Sequence, residues 1–356
     1  MKMSGSRWIA EEIERRIFSG EIRRGDSLAS VRSLSREFGC AQQTAHRALR
    51  RLVDKGLAIA KSREGYQVAE PGGAARAAEV VAFLEDTVGY EESLGDIFDV
   101  QLSFLRRGAS LRGWASVVLP YEGQNAGRIG EQLAGMGATA LVLQDVGEKF
   151  PPELAAELLA LGLPTVSLDV VTSAAGLDQV VRDEAQGALL ATEHLIRRGH
   201  RRIGWYGPLT ATFNSRRRFA GAAEALLRAG LEIDAQGWRE SEGGTMDARA
   251  YLSSPDRPRA VLALWQTAAQ AIARAARELG LELGMDLDIV GWSLEEQIAG
   301  SYAADCPELR SSCATATWSM AEVARLVLNR IAERRREPDL PAARILAPMK
   351  LREPGR

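Results

Sequence analysis

The chain has 356 residues, with 45 Lys and Arg against 47 Asp and Glu, a length that accommodates two or three domains and a full core in at least one. Charge is uneven. Residues 1–70 hold 14 basic against 9 acidic side chains, a balance of +5, and the remainder holds 31 against 38, a balance of −7. A basic head on an acidic body suits a protein in which only the head meets nucleic acid. The three cysteines (Cys40, Cys306, Cys313) form neither a metal-ligand spacing nor a disulfide framework, which fits a reducing compartment. The start leads into a charged helix rather than an apolar signal core, and no uncharged apolar run approaches the ~20 residues of a membrane span. A soluble, cytoplasmic protein is expected, with no membrane partner.

Ile9, Ile13 and Ile17 recur at i+4 and predict a first helix over about 7–18. Ser30 can cap a second helix whose Val31, Leu34 and Phe38 face inward. Gly39 makes a turn, and a third helix runs from about 41 to 55, with Ala45, Ala48, Leu49, Leu52 and Val53 inside. Helix, glycine turn, helix is the signature of a helix-turn-helix. Gln42, Gln43, His46 and Arg47 point one way from the start of the third helix, where a recognition helix enters the major groove. Gln pairs with adenine edges and Arg with guanine, each good bidentate contact discriminating by ~1–3 kcal/mol. Thr44 is placed for a phosphate or a thymine methyl. Taken singly, each of these residues also suits a plain solvated helix face; the surrounding pattern favours the interface. Two strands over 57–60 and 66–69 form a hairpin wing. Its Lys61 and Arg63 can reach phosphates, and Gly65 permits close backbone approach.

The runs Gly20-Glu21-Ile22-Arg23-Arg24-Gly25-Asp26-Ser27-Leu28, Ser30-x-Arg32, Phe38-Gly39, Thr44, Ala48-Leu49 and Gly56-Leu57 occur in one order. Through them, residues 7–69 resemble the GntR family of winged-helix regulators. The resemblance implies a DNA-contacting arginine at Arg32, with Ser30 at the same helix start. Two departures stand out. Ala41-Gln42 replaces a usual Ser-Arg, and His46 replaces a usual Arg, which implies an operator unlike the common family half-site.

Residues 71–78 are rich in Gly and Ala and read as a linker between a head (1–70) and a body (79–356). Apolar runs at 80–84, 115–119, 140–143, 164–168, 203–206, 260–264 and 288–291 alternate with amphipathic segments such as 153–161, 187–197 and 268–279. This is the pattern of an α/β domain with parallel sheets flanked by helices. Such sheets place ligands beyond the carboxyl ends of their strands.

Asp183-Glu184-Ala185-Gln186-Gly187, the run from Ala191 to Ile203, Arg218-x-x-Gly221, Ala276-Arg277-Glu278-Leu279-Gly280 and Asp288-Ile289-Val290-Gly291 follow one another. In these residues the body, over about 79–353, resembles the effector domain shared by lactose-repressor-type regulators and periplasmic sugar-binding proteins. The resemblance implies two lobes, a ligand cleft and a homodimer. It carries ligand contacts onto Asp86, Tyr90, Gln144 and Asp169 at strand ends, and onto Arg218, whose fork suits a hydroxyl or carboxylate. Trp265-Gln266 stands where the family has Asn-Asp, Ser293 where it has an aspartate, and Trp318 near a usual glutamine. Trp265 offers an apolar face to a sugar ring or another flat ligand. His194 and His200 take structural positions, and neither a metal nor a cofactor is expected.

The expected function is a dimeric, sequence-specific regulator of a double-stranded DNA operator, a repressor controlled by a small-molecule effector of the carbohydrate class. The alternative is a DNA-binding regulator whose body serves only dimerisation or a protein partner. An enzyme is not expected: Lys149 and Lys350, the lysines of the body, have no Schiff-base setting, and no nucleophile–base constellation or Gly-rich phosphate loop appears.

Overall fold

In the computed structural model, Ile9, Ile13, Leu34, Ala45, Leu49 and Leu52 are buried against one another, and this core fixes the head. The structure describes residues 5–18, 21–23, 25–54, 57–61, 65–69, 79–86, 95–144, 151–169, 176–207, 212–233, 238–239, 247–298 and 300–355. The linker at 71–78 therefore lies outside the described residues, as do Arg63 and Tyr90. Helices α1 (Ser6–Phe18), α2 (Val31–Glu37) and α3 (Gln42–Asp54) precede a hairpin of β1 (Ala58–Lys61) and β2 (Gly65–Val68). The Ser30 hydroxyl accepts the Ser33 N–H at 3.2 Å and starts α2. Gly39 turns the chain at φ +62°, a left-handed conformation that favours glycine.

The sequence places the wing strands at 57–60 and 66–69, whereas the ladder pairs Ala58 with Val68 and Lys61 with Gly65. The difference is one residue at each strand end, because Lys61 and Gly65 pair across what reads as loop. An isolated antiparallel bridge between Ser27 and Gln67 adds to them. Leu28 N–H donates to the Tyr66 carbonyl at 2.8 Å, and Val68 N–H to that of Asp26 at 2.9 Å.

The chain divides into two compact units, Met1–Val142 with Ala160–Thr165, and Leu143–Leu159 with Val166–Arg356. Beyond the head come β3 (Val80–Asp86), α4 (Gly95–Leu111), β4 (Ala115–Tyr121), α5 (Ala126–Gly135) and β5 (Ala140–Gln144). Strands β3 and β4 are parallel, from Val80 opposite Ala115 to Asp86 opposite Tyr121. Next are α6 (Pro152–Leu159), β6 (Thr165–Leu168), β7 (Asp178–Arg182), α7 (Glu184–Arg197), β8 (Gly204–Tyr206), α8 (Phe213–Arg228), β9 (Trp238–Arg239) and α9 (Ala248–Ser253). The chain continues through β10 (Ala260–Ala263), α10 (Gln266–Glu278), β11 (Asp288–Leu294), α11 (Glu308–Ser311), β12 (Ala314–Trp318), α12 (Met320–Arg336), β13 (Arg344–Ala347) and β14 (Lys350–Arg352).

Two six-stranded sheets result, ordered β13-β7-β6-β5-β3-β4 and β14-β12-β11-β10-β8-β9. Parallel pairing runs through the second from β12 to β9, and only β14 is antiparallel to its neighbour. The apolar strands are covered by helices, as burial on both faces requires; α10, for example, buries Ala269, Ile272 and Ala276 against Val261, Ala263 and Ile289. Strand β11 is longer than its apolar run. Ser293 therefore lies within the strand and is buried, where the sequence places it beyond the strand end.

Candidate functional site

Helix α3 is two-faced. Ala45, Ala48, Leu49 and Leu52 are buried, while Gln42, Gln43, His46, Arg47 and Arg50 are exposed and Thr44 is half-buried. No carboxylate occupies its first turn, so no negative charge there offsets the positive helix end. The His46 ring meets Tyr66 of the wing edge-on, centroids 6.5 Å apart. This contact fixes α3 against β2. On the other side, Arg16 of α1 donates to Glu37 at 2.6 Å and lies 5.6 Å over the Phe38 ring, which pins the turn between α2 and α3.

Arg32 is exposed in the first turn of α2. The Ser30 hydroxyl is engaged by the cap and by Ser33 Oγ at 2.9 Å, which orients that turn. Lys61 is exposed at the end of β1, opposite Gly65 at φ +88°.

In the second unit, charged and aromatic side chains gather at the carboxyl ends of parallel strands. Asp169 follows β6 with φ +55°, the only non-glycine at positive φ among the described residues. Its carboxylate accepts the backbone N–H of Arg182 at 3.3 Å and meets Arg182 Nε at 2.9 Å. Those bonds hold a conformation that is otherwise unfavourable for a side-chain-bearing residue. The Arg182 guanidinium lies 4.6 Å over the Trp318 ring at the end of β12, and its Nε is 3.5 Å from Glu184.

Glu184, the first residue of α7, holds Arg218 of α8 as a fork. Arg218 Nε donates to Oε2 at 2.6 Å and Nη2 to Oε1 at 2.9 Å, and Nη1 donates to the Leu264 carbonyl. The guanidinium lies 4.2 Å from the ring centre of Trp265 and 5.1 Å from that of Trp292. Both partners are fully buried. Burial alone would raise the Glu184 carboxyl, but the fields of Arg218 and Arg182 and the hydrogen bonds outweigh it and hold the group below its ordinary range. Two guanidinium groups thus face two carboxylates, and the cluster carries no net charge.

Asp169, Arg218 and Trp265, each legible as a ligand candidate, are brought together in this way. Arg182 and Glu184 join them, neither having been marked as a ligand contact by the sequence; the available signal was the charged run Arg182-Asp183-Glu184 between β7 and α7. Gln144 ends β5 fully buried, and neither amide atom has a hydrogen-bond partner among the described residues. Among the described residues the Ser293 hydroxyl makes only a long 3.4 Å contact to the Leu294 carbonyl. Asp86 closes β3, and its side chain falls outside the described residues, as does Tyr90.

His194 lies on α7, where burial and then Arg197 and Arg198 lower its proton affinity. His200 pairs through Nε2 with Asp288 at 2.5 Å, and Arg198 donates to the same carboxylate at 2.9 Å, which ties the end of α7 to β11. No group of three His, Cys, Asp or Glu that could hold a metal occurs among the described residues. No described helix is long and apolar enough to cross a membrane.

Comparison with known proteins matches two segments of the chain. Residues 6–68 match the model for bacterial regulatory proteins of the gntR family, and residues 192–353 match that for a periplasmic binding protein-like domain. The ribose operon repressor of Haemophilus influenzae is 31% identical over 138 residues, which are 38% of this chain and 42% of that repressor. The chain thus spans about two fifths of the length of this curated relative. A LacI-family regulatory protein from Chloroflexus aggregans superposes with a TM-score of 0.63 at 25% identity, over 76% of this chain and 96% of that one. The lac repressor dimer bound to operator and an anti-inducer superposes with a TM-score of 0.61 at 20% identity, over 78% and 93%. The chain therefore carries a gntR-type helix-turn-helix domain at its N terminus and a periplasmic-binding-protein-like domain behind it, with LacI-family regulators as its structural neighbours.

Proposed function

We propose that this protein is a dimeric, sequence-specific transcription repressor whose grip on a double-stranded DNA operator is set by a small carbohydrate effector. Residues 1–70 form the DNA-binding head, 71–78 the linker, and 79–356 the effector and dimerisation body. The observation that carries the reading is the exposed row Gln42, Gln43, His46, Arg47 and Arg50 on a helix braced by a wing. The names of the similar proteins support it: a ribose operon repressor, and a repressor dimer on its operator. The protein acts in the cytoplasm and performs no catalysis.

The effector reading rests on Gln144. A buried amide with both ends unpaired costs ~1–3 kcal/mol per group, and a ligand hydroxyl at the end of β5 would recover it. Asp169 and Trp265 follow the carboxyl ends of β6 and β10, and the buried Ser293 lies within β11. Arg218 is already committed to Glu184 and positions the cluster, with two N–H groups left to offer. A body that serves dimerisation alone is favoured by this neutralised arginine and opposed by the unpaired Gln144. An effector coupling of ~1–3 kcal/mol would change operator affinity about 5- to 150-fold.

Selection of binding sites from a random duplex library, with and without a panel of neutral sugars, tests both halves. Enrichment of one motif at moderate salt, shifted by one sugar, is the expected result; no enrichment under any condition would sink the regulator. On the selected site, Arg32→Ala is expected to weaken binding and to flatten the log–log salt dependence by about 0.9, the share of one phosphate contact. An unchanged slope removes Arg32 from the interface. Replacing Gln42 and Gln43 by alanine is expected to relax base preference at two positions, by roughly 1–3 kcal/mol each. A loss uniform across sequences reassigns them to the backbone.

A further inference from the structure

We propose that the second unit carries a separate anion site that takes a small phosphate monoester. A cavity of about 430 Å³ borders the edge strand β14, within the ~300–1,000 Å³ range of small-molecule sites. Its walls come from Glu295 and Ile298 after β11, Arg310 on α11, Thr317 on β12, and Lys350, Leu351 and Arg352 on β14. None of these residues belongs to the Arg218 cluster.

Three cations against one carboxylate leave the cavity with a net charge of +2. Lys350 Nζ holds Glu295 at 3.1 Å. The Arg310 and Arg352 side chains have no hydrogen-bond or ion-pair partner among the described residues. The neighbouring carboxylates are committed elsewhere. Glu296 accepts from Ser319 Oγ at 2.9 Å and from the N–H groups of Met320 and Ala321 at 3.2 Å, at the start of α12. Glu308 pairs with Arg277 at 2.5 Å.

Two uncommitted guanidinium forks and an ammonium that shares one carboxylate form a receptor for an oxyanion with several acceptor oxygens. A phosphate monoester carries about −1.5 to −2 charges near neutral pH, which matches the excess. Ile298 and Leu351 give the carbon portion an apolar wall. A neutral sugar would leave both arginines unsatisfied, and inorganic phosphate would leave the apolar wall uncovered.

Calorimetric titration of the full chain with ribose 5-phosphate, ribose and inorganic phosphate tests the site. Ribose 5-phosphate is expected to bind one per chain, with inorganic phosphate roughly tenfold weaker and ribose without effect on that binding. Arg310→Gln with Arg352→Gln is expected to weaken ribose 5-phosphate about 100-fold, while Arg310→Lys with Arg352→Lys retains most of it. Arg32→Ala with Arg47→Ala, in the head, should leave it unchanged. Binding lost in the head variant but kept in the Arg310 and Arg352 glutamine variant would move the anion to the DNA-binding face and overturn the proposal. Absence of binding by either phosphate probe at millimolar concentration would overturn it equally. Neither outcome bears on operator recognition, which the site selection reads independently.

Discussion

Replacing Glu184 by glutamine is expected to destabilise the effector domain by about 3–5 kcal/mol, the usual cost of leaving one member of a buried ion pair without its counter-ion. The substitution keeps size and one acceptor oxygen, so packing hardly changes. What it removes is the charge that lets the Arg218 guanidinium stay fully buried between α7 and α8. Arg218 cannot shed its proton at any pH where the protein folds, and Trp265 and Trp292 offset only part of a cation's desolvation. Arg182 makes matters worse, because its Nε lies 3.5 Å from Glu184 and adds a second positive charge beside Arg218. Urea unfolding at neutral pH measures the loss. Glu184→Leu combined with Arg218→Met should recover most of it, since apolar pairs of similar volume often replace buried ion pairs without penalty. An unfolding midpoint equal to the wild type in Glu184→Gln would show that the pair is not formed.

The same carboxyl predicts a pH dependence. Its folded-state proton affinity is depressed by Arg218 and Arg182 against the effect of burial. A depressed acid contributes stability that is fully present above its ordinary value and is lost as pH falls through the folded value. Wild type should therefore lose this contribution on the acid side, and Glu184→Gln should show a shallower acid limb. The consequence for function is direct. Arg218→Ala is not a clean probe of effector contact, because it strands Glu184 as well as emptying the site.

The fold was legible where the sequence is periodic and where residue types are constrained. The i+4 isoleucines, the Ser30 cap and Gly39 define the head because capping, turning and burial each demand a residue class. Strands β3, β4, β5, β6, β8, β10 and β11 show as apolar runs because a parallel sheet buries both faces. Strands β7, β13 and β14 did not show, since Asp178, Arg344 and Lys350 interrupt them, and β12 did not because Thr315 and Thr317 alternate with its apolar residues; Asp178 is buried only because Arg330 and Arg334 meet it at 2.8 and 2.9 Å. The site was half legible for the same reason. Asp169 and Trp265 announce themselves at strand ends, but that Arg218 is spent on Glu184 is a tertiary fact: the two lie 34 positions apart, and no local pattern joins them.

Gly221→Ala is expected to be the most damaging of the conservative changes, and it tests how the pair is assembled. A methyl at Gly221 would lie 2.0 Å from the Ala185 carbonyl oxygen and 2.8 Å from its carbon. Backbone atoms cannot rotate away, so α7 and α8 must part by about an ångström or more for ordinary van der Waals contact. Gly221 is one turn beyond Arg218 on the same face of α8, and Ala185 adjoins Glu184. The close approach therefore sets the separation at which the fork meets its carboxylate. Helix propensity acts in the opposite direction, favouring alanine by roughly 0.5–1 kcal/mol. Overpacking at about 1–3 kcal/mol, added to loss of the pair, outweighs it. The sum, several kcal/mol, corresponds to a fall in Tm of roughly 10 °C for a domain of this size. Gly135→Ala, at the end of α5 with nothing within 4 Å, is the matched control and should be neutral or slightly stabilising. If both variants melt together near the wild-type temperature, α7 and α8 are not in backbone contact, and the buried Glu184–Arg218 fork loses the geometry that makes it possible.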